Sequence, residues 1–167
     1  MSYTDYKSTQ LLTTSINIKC NNIKGDINKL ILYNLKKRYE GVCNKDGYIM
    51  KNTIELINRS IGELLLIDTK SHIMYNITYK CDIISPSIGN KIKCVVNSNN
   101  KMGIIGYIKD DDVKTIDDSP FIIIIPNEYF TDTDISTIKI GDILNVKIEN
   151  FRTKYLAKQI QLVVKPI

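Results

Sequence analysis

The sequence predicts an α+β chain of two modules: an N-terminal antiparallel sheet with one packed helix over residues 1–85, then an all-β, five-stranded OB/S1-like barrel over residues 86–167. Three observations carry that expectation. A helical repeat of apolar residues occurs in the first half and none of any length in the second. The clearest strict alternation, Ile73 to Ile83, ends just before Pro86 and Gly89, where Ser-Pro-Ser-Ile-Gly has turn composition. Beyond it, five short strand candidates fit the size of a small closed barrel.

In chain order, residues 10–18 are rich in β-branched types and predict a first strand. Asp26 can then cap a helix in which Ile27, Leu30, Ile31, Leu35 and Tyr39 recur at three- and four-residue steps. Lys36, Lys37 and Arg38 stand where the negative end of the helix dipole favours cations, and Gly41 stops the helix. Asn44-Lys45-Asp46-Gly47 supplies turn chemistry between Val42-Cys43 and Tyr48-Ile49-Met50, because Asp-Gly tolerates positive φ. Short apolar runs follow at Ile54–Ile57 and Leu64–Ile67. Loops are expected at Asn58–Gly62 and Asp68–Ser71. In the long strand, Ile73, Tyr75, Ile77, Tyr79 and Cys81 form the dry face and Met74, Asn76, Thr78, Lys80 and Asp82 the wet one.

The second half offers strands at Lys91–Asn97, Gly103–Lys109, Phe121–Pro126, Ile143–Glu149 and Tyr155–Val164. Asn127-Glu128-Tyr129-Phe130 suits the short turn that OB barrels place after their third strand.

The 43% hydrophobic and 25% charged composition is that of a folded globular protein, which excludes a disordered chain. Net charge is +5, which favours an anionic partner, with Lys outnumbering Arg by 20 to 3. That lysine excess and the lone alanine, Ala157, also read as AT-rich coding, as in many giant viruses and some protists. Cys20, Cys43, Cys81 and Cys94 are too widely spaced for a zinc knuckle and read as reduced intracellular thiols. No apolar run reaches membrane-span length, so a soluble protein is expected, with no membrane partner.

Catalytic chemistry finds no footing. His72 is the single histidine and is expected to be a partly exposed structural residue. The eight glycines fall singly and form no phosphate-cradling loop. Asp110, Asp111 and Asp112, Asp117 and Asp118, and Asp132 and Asp134 lack the glycine turn and distant glutamate of a calcium loop, and read as polar loops. No metal and no cofactor are expected.

OB surfaces bind single strands by stacking bases on aromatics and pairing phosphates with cations. The candidate RNA-binding residues here are Lys91, Lys93, Lys101, Tyr107, Phe151, Arg152, Lys154 and Tyr155. Phe151-Arg152-x-Lys154-Tyr155 forms the densest group, across an expected turn.

The helix with Leu30 and Leu35, Glu40-Gly41-x-Cys43 with Gly47-Tyr48, Ile54-x-x-Ile57 with Gly62, Tyr75-x-x-x-Tyr79-Lys80 with Pro86 and Gly89, and Lys101-Met102-Gly103 together resemble the RNA polymerase stalk subunit family. That family comprises the seventh subunit of eukaryotic RNA polymerase II and its archaeal equivalent. The resemblance covers about the whole chain and rests on many single positions. One position departs from S1-type barrels, which place an aromatic after the glycine of strand two; here Ile104 and Ile105 follow Gly103. The resemblance implies a non-enzymatic subunit whose N-terminal tip docks on large polymerase core subunits near the clamp, while the barrel projects near the nascent RNA. It also implies a fourth-subunit-like stalk partner. Carried onto this sequence, core docking falls on Gly41, Asp46, Gly47, Asn58, Arg59, Ser60, Ile61 and Gly62. The implied location is a virion or host cytoplasm for a viral protein and the nucleus for a cellular one. A free-standing S1-type RNA-binding or translation-interfering protein is the alternative; it would need only the barrel.

Overall fold

The computed structural model describes residues 6–111, 113–130 and 135–167. They divide into two compact units, one of Ser8–Gly41 with Ile49–Ile83, the other of Tyr6 and Lys7, Val42–Tyr48 and Ile84–Ile167. The short hairpin after the helix thus belongs with the barrel.

The first unit holds all or most of β1 (Lys7–Lys19), α1 (Ile27–Tyr39), β3 (Glu55–Arg59), β4 (Glu63–Ile67) and β5 (Lys70–Ile84), together with Ile49 of β2 (Tyr48–Ile49). β5 is the spine of the sheet. β1 and β2 flank it in the order β1-β5-β2, and β3 and β4 each pair with it as well. β4 runs antiparallel against residues 70–74 and β3 antiparallel against residues 77–80. Alternation sets its inner face: Tyr75, Ile77, Tyr79, Cys81 and Ile83 join Ile16 and Ile18 of β1 in one core. α1 closes that core with Ile31, Leu35 and Tyr39, four residues apart along one stripe. Each aliphatic side chain so removed from water contributes roughly 1.5–3 kcal/mol before entropy is charged against it. Tyr39 stacks on Tyr79 with ring centroids 5.9 Å apart, and its hydroxyl lies 2.8 Å from Thr14 Oγ1.

The helix begins and ends where its local chemistry requires. The Asp26 carboxylate accepts the Asn28 N–H at 2.9 Å, satisfying one of the free donors of the first turn. At the other end Gly41 takes φ 72°, a left-handed geometry that glycine adopts without steric cost.

The second unit is an OB-type barrel of β6 (Lys91–Asn100), β7 (Gly103–Tyr107), β8 (Phe121–Pro126), β9 (Ile143–Arg152) and β10 (Ile160–Pro166). It closes in the order β10-β8-β7-β6-β9, with β10 returning antiparallel onto β9 and lying parallel to β8. Ile92, Cys94, Val96, Ile104, Phe121, Ile123, Ile125, Val146, Ile148, Leu162 and Val164 fill its interior. Gly106 faces that interior so tightly that a Cβ there would strike Cys94 Sγ and the Val95 carbonyl. A turn of 3-10 helix, Asn127–Tyr129, follows β8 as expected.

Several local expectations are corrected. β10 starts at Ile160, so Tyr155 lies in the β9–β10 connection and not on a strand. Asn58 and Arg59 are the end of β3, and Lys70 and Ser71 the start of β5, which leaves shorter loops than predicted. β7 ends at Tyr107. His72 is buried, 9% exposed, opposite Leu65 on β4, with its Nδ1 3.1 Å from the Lys70 carbonyl oxygen.

Candidate docking and nucleic-acid surfaces

The β3–β4 connection gathers most of the predicted docking residues. Asn58, Arg59, Ser60 and Ile61 line a surface depression of about 380 Å³ together with Asn28, Leu56 and Ile57. Its polar wall is fixed: Arg59 Nε donates to Asn28 Oδ1 at 2.7 Å, and the guanidinium lies 5.6 Å from the Tyr75 ring centroid. Ser60 is pinned to β5 by its N–H donating to the Asn76 carbonyl at 2.8 Å and its Oγ accepting the Asn76 N–H at 3.0 Å. Beyond these anchors the chain turns apolar and outward. Ile61 is 90% exposed, Leu64 71% and Leu66 77%. Gly62 has no room for a side chain, since a Cβ would overlap Ile73 Cγ2 and come within 2.9 Å of the Tyr75 ring. A charged residue at Gly62 would therefore test the fold, whereas one at Ile61 tests the surface.

Gly41 shares a unit with this connection, while Asp46 and Gly47 belong to the barrel unit. Their turn is held by Asn44, whose Oδ1 accepts the N–H groups of Asp46 at 2.8 Å and Gly47 at 2.9 Å. The strand edge at Cys43 bonds the β9–β10 connection: its N–H donates to the Ala157 carbonyl at 2.7 Å, and Leu156 N–H donates to the Cys43 carbonyl at 2.8 Å.

On the barrel, the predicted RNA-binding residues separate into distinct places. Arg152, Lys154 and Tyr155 stay together, exposed at the end of β9 and in the connection that follows. Phe151 does not join them. It is half-buried and pairs in register with Leu162, whose side chain fills the interior, so its ring sits on the inner side. Lys101 occupies the tight β6–β7 turn, where its carbonyl accepts from Asn127 Nδ2 at 3.3 Å. Tyr107 is half-buried, with its hydroxyl donating to the Lys114 carbonyl at 3.4 Å. The β7–β8 face, which OB barrels use for oligonucleotides, presents Ile105, Ile122 and Ile124 beside that tyrosine.

Lys91 and Lys93 fall on the outer face of β6, where the register aligns Lys91 with cations on neighbouring strands. Lys91 is opposite Lys147, and Lys147 is opposite Lys165. All three are exposed, so three ammonium groups form one row across β6, β9 and β10. Lys93 lies two residues further along β6, opposite Asn145. Lys165 is a member of the row that the sequence reading missed; the outward alternation of Val163 and Lys165 against buried Leu162 and Val164 was the available signal.

Among the described residues no group of three His, Cys, Asp or Glu side chains gathers as a metal site. Asp112, Asp132 and Asp134 lie outside the described residues. Asp118 is accounted for locally, its Oδ2 accepting from Thr115 Oγ1 at 2.8 Å. No helix among the described residues is long and apolar enough to cross a membrane.

No protein-family model matches the sequence, and no curated protein matches it. Among solved structures, the chain is similar to uncharacterized protein MJ1198 from Methanocaldococcus jannaschii at 14% identity and a TM-score of 0.39, over 50% of this chain and 96% of that one.

Proposed function

We propose that this chain is a non-catalytic stalk subunit of a multisubunit DNA-directed RNA polymerase. Its first unit docks on large core subunits near the clamp, and its OB barrel stands near the exiting transcript. The observation that supports this reading best is the apolar surface of β3, β4 and their connection, where Ile57, Ile61, Leu64 and Leu66 are all more than half exposed. Apolar side chains grouped on the surface of a folded chain mark an interaction site. Among the described residues β4 pairs with β5 alone, so its second edge can receive a partner's backbone. Of this surface, Ile61 is itself one of the residues on which the family resemblance places core docking, and Asn58, Arg59, Ser60 and Gly62 are its neighbours in the chain. A subunit of this kind works wherever its polymerase transcribes: in the virion or host cytoplasm for a viral enzyme, in the nucleus for a cellular one.

The test is co-purification. An Ile61→Glu, Leu64→Glu variant places two charges at positions that are largely exposed, so the isolated chain is expected to keep its fold, as circular dichroism would check. The tagged wild-type chain is expected to retain the large polymerase subunits in stoichiometric amount and the variant to lose them. Recovery of a kinase or ribosomal partner in their place, with no polymerase subunit, would establish the free-standing RNA-binding alternative.

A further inference from the structure

We infer that the outer face of β6, β9 and β10 is a track for the phosphate backbone of a single nucleic-acid strand, built on the row Lys91–Lys147–Lys165 with Lys93 beside it. This deepens the stalk reading by naming the barrel face that meets the strand; only the strand's identity as a transcript rests on that reading.

The row carries an electrostatic cost. Like charges directly opposite on neighbouring strands destabilise a sheet, and here three stand in succession. Neighbouring strands lie about 4.8 Å apart, so the row spans roughly 10 Å, about one Debye length at physiological salt. Water and salt therefore screen the repulsion only in part. Glu149 reaches the row, with its Oε1 4.0 Å from Lys147 Nζ, and Lys165 Nζ lies 6.0 Å from the Tyr129 ring centroid. Those contacts leave net positive charge across the row, which a bound polyanion would offset.

The surroundings favour a nucleic-acid strand. A depression of about 340 Å³ beside the row is lined by Lys91, Lys93, Asn145 and Ile167, which joins cations to an amide and an apolar surface. Ile167 is 65% exposed there, and Ile143, two residues before Asn145 on β9, is exposed to the same extent. Phosphates can meet the ammonium groups while bases or sugars lie against the amide and the aliphatic groups. A nucleic-acid strand carries a charge on every repeat, whereas an extended acidic peptide turns alternate carboxylates away from the surface. The β7–β8 face has neither a cation row nor a stacking platform beyond Tyr107.

Binding of a fluorescein-labelled oligouridylate of about a dozen nucleotides to the full chain, followed by anisotropy from about 50 to 200 mM salt, tests this independently of polymerase association. Each phosphate neutralised on a single strand contributes about −0.7 to the slope of log K against log salt, so the four lysines predict a slope near −2.8. Lys91→Gln with Lys147→Gln is expected to remove about 1.4 of that slope. Lys91→Gln with Lys165→Gln should remove as much, and neither pair should lower the thermal midpoint, because each relieves like-charge repulsion. Lys101→Gln with Arg152→Gln, away from the row, should leave the slope unchanged. The inference is overturned if the loss follows the Lys101, Arg152 pair, if the row variants bind as wild type, or if polyglutamate of equal charge displaces the oligouridylate as well as unlabelled oligouridylate does.

Discussion

Burial pushes the Cys43 and Cys81 thiols up to about 11, with the Asp82 charge adding to the effect at Cys81, and raises the Cys94 thiol to about 12. The thiolate is the reactive form, so these side chains behave as small apolar packing residues while the fold is intact. Cys20 is only half-buried. Iodoacetamide near pH 8 should accordingly modify Cys20 alone in the native chain and all four cysteines in denaturant, as counted by intact mass. Early labelling of Cys94 would contradict the packed barrel interior. The same shifts set a pH dependence. With folded values above the ordinary 9.0, the native state holds protons that the unfolded chain releases, so their contribution is fully present below pH 9.0 and is lost as pH rises through about 11 to 12. The urea midpoint should therefore fall as pH is raised above 9.0, and a midpoint independent of pH there would refute the assignment.

At the scale of elements, what could be read from the sequence was what local chemistry decides. α1 runs from Ile27 to Tyr39 because its cap, its apolar repeat and its glycine stop all lie within one continuous stretch, Asp26 to Gly41. Replacing Asp26 by Ala removes an acceptor for the first turn and is expected to cost about 1 kcal/mol, measured as a lower urea midpoint at unchanged slope. An unchanged midpoint would mean the cap carries no weight. β8 was equally legible as an unbroken apolar run, Phe121 to Ile125, ended by Pro126, although which of its residues face the interior appears only in the fold. β10 was not: Tyr155 and Leu156 suit a strand by composition, yet Leu156 takes φ 60° in a turn bonded to Cys43, a partner more than a hundred residues away in sequence. The lysine row was hidden for a related reason. Opposite Val163 and Val164 the register of β9 shifts by one residue, which lets both Arg152 and Lys147 face outward despite their odd spacing. Of the candidate sites, the Asn58–Gly62 group could be located because turn residues mark it locally, whereas cross-strand neighbours follow from register alone.

At the scale of the whole molecule, the barrel unit is assembled from separated stretches of chain. Val42–Tyr48 belongs to it, although all of β3, β4 and most of β5 intervene before the barrel strands begin. The paired bonds between Cys43 and residues 156–157 hold Leu156 in a left-handed conformation that costs a non-glycine residue on the order of 1–3 kcal/mol. A fragment of residues 86–167 keeps every barrel strand and loses that clasp. Its β-sheet content should persist by circular dichroism, because β10 closes the barrel by pairing with both β8 and β9 without Cys43. The Leu156 amide, which donates to the Cys43 carbonyl in the full chain, should exchange with solvent about tenfold faster in the fragment, as the loss of roughly 1.4 kcal/mol of local protection would give. Ile160 N–H, bonded to the Pro120 carbonyl inside the fragment, is the internal control and should keep its protection. Equal protection of Leu156 in fragment and full chain would mean that the connection holds its shape unaided. Collapse of the Ile160 protection would mean that the hairpin segment is required for the barrel to close at all.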